Sequence, residues 1–122
     1  MKFADNLPIY IQIMNFIKVK IVSGEWNGGD QLPSVREFSK QLKVNPNTIQ
    51  RVYQELEREG LIFTQRGTGT FVREDEAMIR QLKQSRAEEL MDHFFREMQN
   101  IGFQKQEIKR MVMEWVEKEE TE

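Results

Sequence analysis

Two helix-start signals stand close together in this chain and constrain its fold more than any other feature. Ser34 and Glu37 are in capping-box register: the Ser hydroxyl serves one orphan amide of a first helical turn, and the Glu carboxylate reaches back to another. Asn45 followed by Pro46 repeats the signal, a cap residue and then a proline whose missing N–H costs nothing at the first helical position. Only a short helix and a tight turn fit between them. The pattern predicts a helix with the buried stripe Val35, Phe38 and Leu42, ending near Lys43-Val44. A second helix follows almost at once, with Ile49, Val52, Tyr53 and Leu56 at i, i+3, i+4 and i+7 on one face, closed by Gly60.

The flanking segments complete a recognisable order. Upstream, Ile9, Ile13, Phe16, Ile17 and Ile21 recur at helical spacing after Pro8, which suits a first turn, and Gly24 supplies a left-handed stop. Trp26-Asn27-Gly28-Gly29-Asp30 reads as a turn-rich connection, with a very short strand at Gln31-Leu32. Downstream, the β-prone runs 61–65 and 70–73 are separated by Arg66-Gly67-Thr68-Gly69, a hairpin turn whose glycines supply positive φ. Three helices and a hairpin make a winged helix-turn-helix over residues 1–73. From Glu74 a charged amphipathic helix is expected, broken at Asn100-Ile101-Gly102 and followed by a last helix marked by Ile108, Met111, Val112, Trp115 and Val116, before an acidic end at 117–122. The expected fold class is mainly α with a small β-hairpin, residues 74–122 forming a two-helix tail.

Composition removes several functions. With no cysteine and one histidine, His93, the chain has no disulfide, no thiol nucleophile and no Cys/His zinc set, so no metal site and no cofactor are expected. No Walker loop, dinucleotide fingerprint or nucleophile–base pair appears, and no enzyme is expected, since Gly67-Thr68-Gly69 lies between strands and not before a helix. No apolar run approaches the roughly 18 residues of a membrane helix, so no membrane partner and a cytoplasmic location are expected.

A net charge of −2 looks wrong for a protein that meets phosphate, but the average conceals an asymmetry. Residues 1–73 carry ten Lys and Arg against seven Asp and Glu, while residues 74–122 carry eight against thirteen. Steering depends on the local field, which is basic around the two central helices. With the aliphatic face of the third helix turned inward, its other side displays Asn47, Gln50, Arg51, Gln54 and Arg58, with Thr48 beside them. Asn and Gln pair bidentately with adenine and Arg with guanine, which is chemistry for base edges in the major groove of double-stranded DNA. Arg36, Lys40 and Lys43 are placed to meet phosphates and set register, and Asn45 at the turn is counted with them among the DNA-binding residues. Arg66, Gly67, Thr68, Gly69 and Thr70 form a wing tip small enough to approach the sugar-phosphate rail, with Arg73 supporting that edge.

The chain also resembles a known family, the GntR family of bacterial regulators. The resemblance is carried by Leu7-Pro8-Ile9-Tyr10-Ile11-Gln12-Ile13, by Gly29-Asp30-Gln31-Leu32-Pro33-Ser34-Val35-Arg36, by Val44-Asn45-Pro46-Asn47-Thr48-Ile49, by Tyr53-Gln54-Glu55-Leu56-Glu57-Arg58-Glu59-Gly60-Leu61-Ile62, and by Arg66-Gly67-Thr68-Gly69-Thr70-Phe71-Val72. The short acidic helical tail is similar to that of the YtrA subfamily, whose members lack the large effector-binding domain of other branches. The resemblance implies DNA contacts by Arg36, by Asn47, Thr48 and Arg51, and by the wing at 67–70, and it implies repression of an operon, often one for ABC-type transporters. One departure stands out: Asn45-Pro46-Asn47 occupies the place where many relatives carry Ser-Arg before the Thr, so a relative's operator sequence does not transfer.

The tail carries more apolar surface than two short helices bury against each other. Leu90, Phe94, Phe95, Met98, Phe103, Ile108, Met111, Val112 and Trp115 are expected to pack across a two-fold axis, giving a homodimer that reads both halves of a palindromic operator. A fold back onto the first helix is the competing use of these side chains. Expected, then, is a sequence-specific transcription regulator, most simply a repressor, whose small-molecule effector the residues do not name. A winged-helix module that binds protein is the alternative; it predicts no duplex binding even at low salt.

Overall fold

The computed structural model describes residues 1–120; Thr121 and Glu122, at the acidic end, lie outside the described residues. In chain order the elements are α1 (Ile9–Val22), α2 (Val35–Leu42), α3 (Pro46–Arg58), β1 (Ile62–Gln65), β2 (Gly69–Val72), α4 (Glu76–Asn100) and α5 (Lys105–Glu120). This is the mainly helical fold with one hairpin that the sequence predicts. Two compact units make it up, residues 1–82 and residues 83–122.

The central helix starts form as their residue types dictate. The Glu37 N–H donates to Ser34 Oγ at 3.1 Å and the Ser34 N–H donates to Glu37 Oε1 at 3.3 Å, closing the capping box. Asn45 caps α3 through its side-chain oxygen, which accepts from the Asn47 N–H at 2.8 Å, and Pro46 follows at the first helical position. Gly60, at φ 80°, ends α3: its N–H donates to the Glu57 carbonyl and the Leu61 N–H to the Leu56 carbonyl, a Schellman closure. Between the helices Lys43 adopts the left-handed conformation at φ 57°, which makes the turn tight.

Helix α1 differs in detail from its expected form. Pro8 is the cap and not the first helical residue, its carbonyl accepting from the Gln12 N–H. The buried stripe runs through Ile13, Met14, Ile17 and Ile21, with Tyr10 packed at its edge, whereas Ile9 is 45% exposed. Tyr10 satisfies the i, i+3, i+7 spacing with Ile13 and Ile17 as well as Ile9 satisfies i, i+4, i+8, and the larger ring covers more apolar area.

The core of the first unit joins that stripe to Leu32, Phe38, Ile49, Val52, Tyr53, Leu56, Leu61, Ile62 and Val72. Each such side chain, fully buried, stabilises the fold by about 1.5–3 kcal/mol. Phe38 lies between Trp26 and Tyr53, with ring centroids at 6.4 and 6.3 Å. Strands β1 and β2 pair antiparallel in the register Ile62↔Val72 to Gln65↔Gly69, so Ile62 and Val72 face inward together and Phe63 stacks on Phe71 outside. The short segment expected at Gln31-Leu32 bridges Phe71 and widens the hairpin, Leu32 donating to the Thr70 carbonyl and Val72 to that of Asp30.

Helix α4 begins at Glu76, two residues later than expected, because the Asp75 carboxylate accepts from the Met78 N–H at 3.0 Å and caps the helix there. Met78, Ile79 and Leu82 pack on the core of the first unit. In the second unit Gly102, at φ 103°, turns the chain between α4 and α5. There Ile108 is fully buried, while Leu90, Phe94, Phe95 and Trp115 are exposed.

Candidate nucleic-acid interface

Helix α3 packs against α1, α2 and β1, and the packing fixes which way each of its side chains faces. Ile49, Val52 and Leu56 are fully buried and Tyr53 nearly so, which leaves Asn47, Gln50, Arg51 and Gln54 exposed on the opposite side and Thr48 half-buried between the two. The Tyr53 hydroxyl donates to the Pro33 carbonyl at 2.6 Å, tying the middle of α3 to the residue before the cap of α2. Burial, reinforced by the Glu37 carboxylate, pushes the Tyr53 phenol well above the usual tyrosine range, so it stays a neutral donor.

Arg36 and Lys40 are exposed on α2, and Lys43 is exposed at the turn. Their electrostatic setting bears on what they can do. Among the described residues, Arg36, Lys40, Lys43, Arg51 and Arg66 form no ion pair, whereas Arg58 is held by Glu55 at 3.0 Å. Arg58, named from the sequence as part of the outer face, is therefore partly neutralised. The Asn45 side-chain oxygen is occupied as a helix cap, which leaves its amide N–H groups for other partners.

At the wing, Arg66, Gly67 and Thr68 are exposed and Gly69 and Thr70 half-buried. The tip is braced from an unexpected quarter: Gln31 Nε2 donates to the Thr68 carbonyl at 3.2 Å. A Cβ at Gly69 would push aside that same Gln31 amide, the mobile end of a flexible side chain, so it is the φ of 138° that favours glycine at this position. Gly67, at φ 79°, opens onto free space. In the sequence Gln31 stands in a short β-prone pair and in one of the blocks of the family resemblance, and neither points to a brace on the wing.

Tyr10 was also missed. Its ring lies under the Arg51 guanidinium, with the central carbon 3.6 Å from the ring centroid, and Ile9, Tyr10, Asn47, Thr48 and Arg51 line one shallow surface depression. The start of α1 thus extends the polar face of α3. A pairing that spans two helices far apart in sequence leaves no local pattern to read.

The residues expected at a dimer interface all lie in the second unit. Phe94, Met98, Met111, Val112, Trp115 and Val116 line an apolar groove of about 440 Å³. Ile108, expected at that interface, is fully buried in the single chain and contributes nothing to the exposed apolar surface. Among the described residues no helix is long and apolar enough to cross a membrane, and no group of His, Asp and Glu is placed to hold a metal ion.

Comparison with known proteins agrees with this geometry. The family model described as bacterial regulatory proteins, gntR family, matches residues 9–72. The chain is 44% identical over 107 residues to the HTH-type transcriptional regulator YhcF of Bacillus subtilis, covering 88% of each chain. It is 46% identical over 71 residues to the HTH-type transcriptional repressor YtrA of the same organism, covering 58% of this chain and 55% of that one. Among solved structures, a GntR family transcriptional regulator from Listeria monocytogenes superposes with a TM-score of 0.83 at 44% identity, over 95% of this chain and 98% of the other. The DNA-binding domain of AraR, in complex with an operator, matches 58% of this chain and 92% of its own at 29% identity, with a TM-score of 0.55.

Proposed function

The chain belongs to the GntR family of bacterial regulatory proteins, and on that premise we propose that it is a repressor that binds a palindromic operator as a homodimer. One observation carries the reading: the outer face of α3 is exposed and polar, and Arg36, Lys40, Lys43 and Arg51 around it form no ion pair among the described residues, Arg58 alone being held by Glu55. Asn47, Gln50, Arg51 and Gln54 read base edges in the major groove, Thr48 reaches a base or a phosphate, and Arg36, Lys40 and Lys43 neutralise phosphates. Asn45 holds the first turn of α3 in place and offers its amide to the backbone. Arg66, Gly67, Thr68, Gly69 and Thr70 follow the adjoining sugar-phosphate rail. The relatives named above are transcription regulators and not enzymes, and the AraR complex holds an operator on a similar winged helix.

Residues 74–122 act as the dimerisation tail. Leu90, Phe94, Phe95, Met98, Phe103, Met111, Val112 and Trp115 supply the apolar surface, and two-fold pairing lets two winged helices engage half-sites about 34–36 Å apart or a multiple of that. Operator occupancy then blocks transcription, with an operon for an ABC-type transporter as the target the YtrA-like resemblance suggests. Selection of bound duplexes from a random pool tests the reading. Recovery of a two-fold motif with regular half-site spacing supports it; absence of any enriched motif, with no duplex binding at low salt, favours a protein-binding module instead.

A further inference from the structure

Base-reading arginines are long and flexible, and freezing one on binding costs rotamer freedom that must be recovered from the contact. Arg51 is not free in this way. The central carbon of its guanidinium lies over the Tyr10 ring, 3.6 Å from the centroid, where the negative face of the aromatic quadrupole attracts the cation. Stacking uses only the face of the guanidinium. Its N–H donors lie in the plane and point outward from the rim, so the fork that matches guanine O6 and N7 stays available.

The platform is itself held on two sides. Tyr10 packs at the edge of the first unit's core, next to the α1 stripe. Just ahead of it, Gln12 Nε2 donates to the carbonyls of Ala4 and Leu7, each at 2.8 Å, and Gln12 Oε1 accepts from the Ala4 N–H, which straps the preceding residues to the start of α1. Among the described residues the Tyr10 hydroxyl makes no hydrogen bond, so the ring face is what matters.

We propose that Tyr10 is a positioning residue for DNA recognition, holding the Arg51 guanidinium stacked with its donor edge turned outward so that Arg51 meets its base already ordered. The inference rests on the reading of α3 as the base-reading helix. It makes Tyr10 a determinant of specificity: the ring touches no base, and its loss is felt only through Arg51.

The test uses the full chain with Tyr10→Phe, Tyr10→Leu and Tyr10→Met, each alone and combined with Arg51→Ala. In the free protein, ¹⁵N relaxation at Arg51 Nε is expected to report an ordered group in the wild type and in Tyr10→Phe, and a mobile one in the Leu and Met variants. Against the selected duplex, Tyr10→Leu is expected to lose about two- to fivefold in affinity, as an exposed cation–π contact warrants, with binding to a random duplex unchanged. Tyr10→Phe is expected to keep wild-type affinity, and in the Arg51→Ala background Tyr10→Leu is expected to cost nothing more. Tyr10→Met keeps the bulk of the side chain without an aromatic face and gives the same reading if the Leu variant melts early. A mobile Arg51 Nε in the wild type overturns the proposal, as does an equal cost of Tyr10→Leu with and without Arg51. A wild type that prefers no duplex overturns the base-reading role of α3 instead, and the relaxation data still judge the stack.

Discussion

The Tyr53 hydroxyl donates a 2.6 Å hydrogen bond to the backbone carbonyl of Pro33, so the middle of α3 is fastened to the residue that precedes the cap of α2. This bond fixes the spacing between the helix that carries Arg36 and the helix that carries Arg51. Tyr53→Phe keeps the ring stacked on Phe38 but removes the donor to a part-buried carbonyl, and is expected to cost about 0.5–1.5 kcal/mol in urea unfolding. The alkaline limb of stability supplies a second readout. Because the folded state raises the phenol above its ordinary value of about 10, the folded chain holds that proton more tightly, and stability falls as pH rises past the unfolded value. The Phe variant is expected to show a shallower loss above about pH 10.

Lys43 combines a left-handed backbone with an exposed, unpaired charge. Asn tolerates that conformation, so Lys43→Asn removes the charge and preserves the turn. The expected outcome is unchanged thermal stability, uniform weakening on all duplexes, and a salt dependence of log K shallower by about 0.9. An unchanged slope means Lys43 neutralises no phosphate.

The wing glycines are predicted to differ. Gly69→Ala drives a Cβ into the Gln31 amide and breaks the brace on the Thr68 carbonyl, and is expected to weaken operator binding measured by fluorescence anisotropy. Gly67→Asn, at φ 79° and facing open space, is expected to be tolerated, with less than about 1 kcal/mol lost from the fold.

In the second unit, exposure separates two classes of apolar residue. Trp115 is 63% exposed and Leu90 60%, so Trp115→Ser with Leu90→Lys is expected to leave the chain folded but monomeric in sedimentation at micromolar concentration. Ile108→Ala, made in a fully buried site, is expected instead to cost about 2–5 kcal/mol of stability. A dimer that survives the first pair removes this surface from the interface.

Legibility in the sequence followed the range of the interaction. The capping box, the Asn45-Pro46 start, the Gly60 stop and the α3 stripe were all readable because each is settled within one or two turns of helix. The start of α4 is not legible because Asp75, inside an acidic run, gives no distinct cap signal. Two stripes of helical spacing overlap on α1, one through Ile9 and one through Tyr10, and only packing decides between them. The Tyr10–Arg51 stack and the Gln31–Thr68 brace each join residues from separate elements, so periodicity and capping rules do not reach them. Ile108 sits in the same apolar run as Met111 and Trp115, and spacing alone does not tell a side chain that fills its own unit from one that faces outward.

The proposed function stands on the division of α3 into an anchored aliphatic side and a polar side that reads bases. Titration of the selected duplex into labelled protein, followed by backbone and side-chain chemical shifts, tests it most directly. The largest changes are expected at Asn47, Gln50, Arg51 and Gln54 and along the wing at 67–70, with Ile49, Val52 and Leu56 nearly still. Changes confined to the second unit, with Gln50 and Arg51 unmoved at saturation, would contradict it.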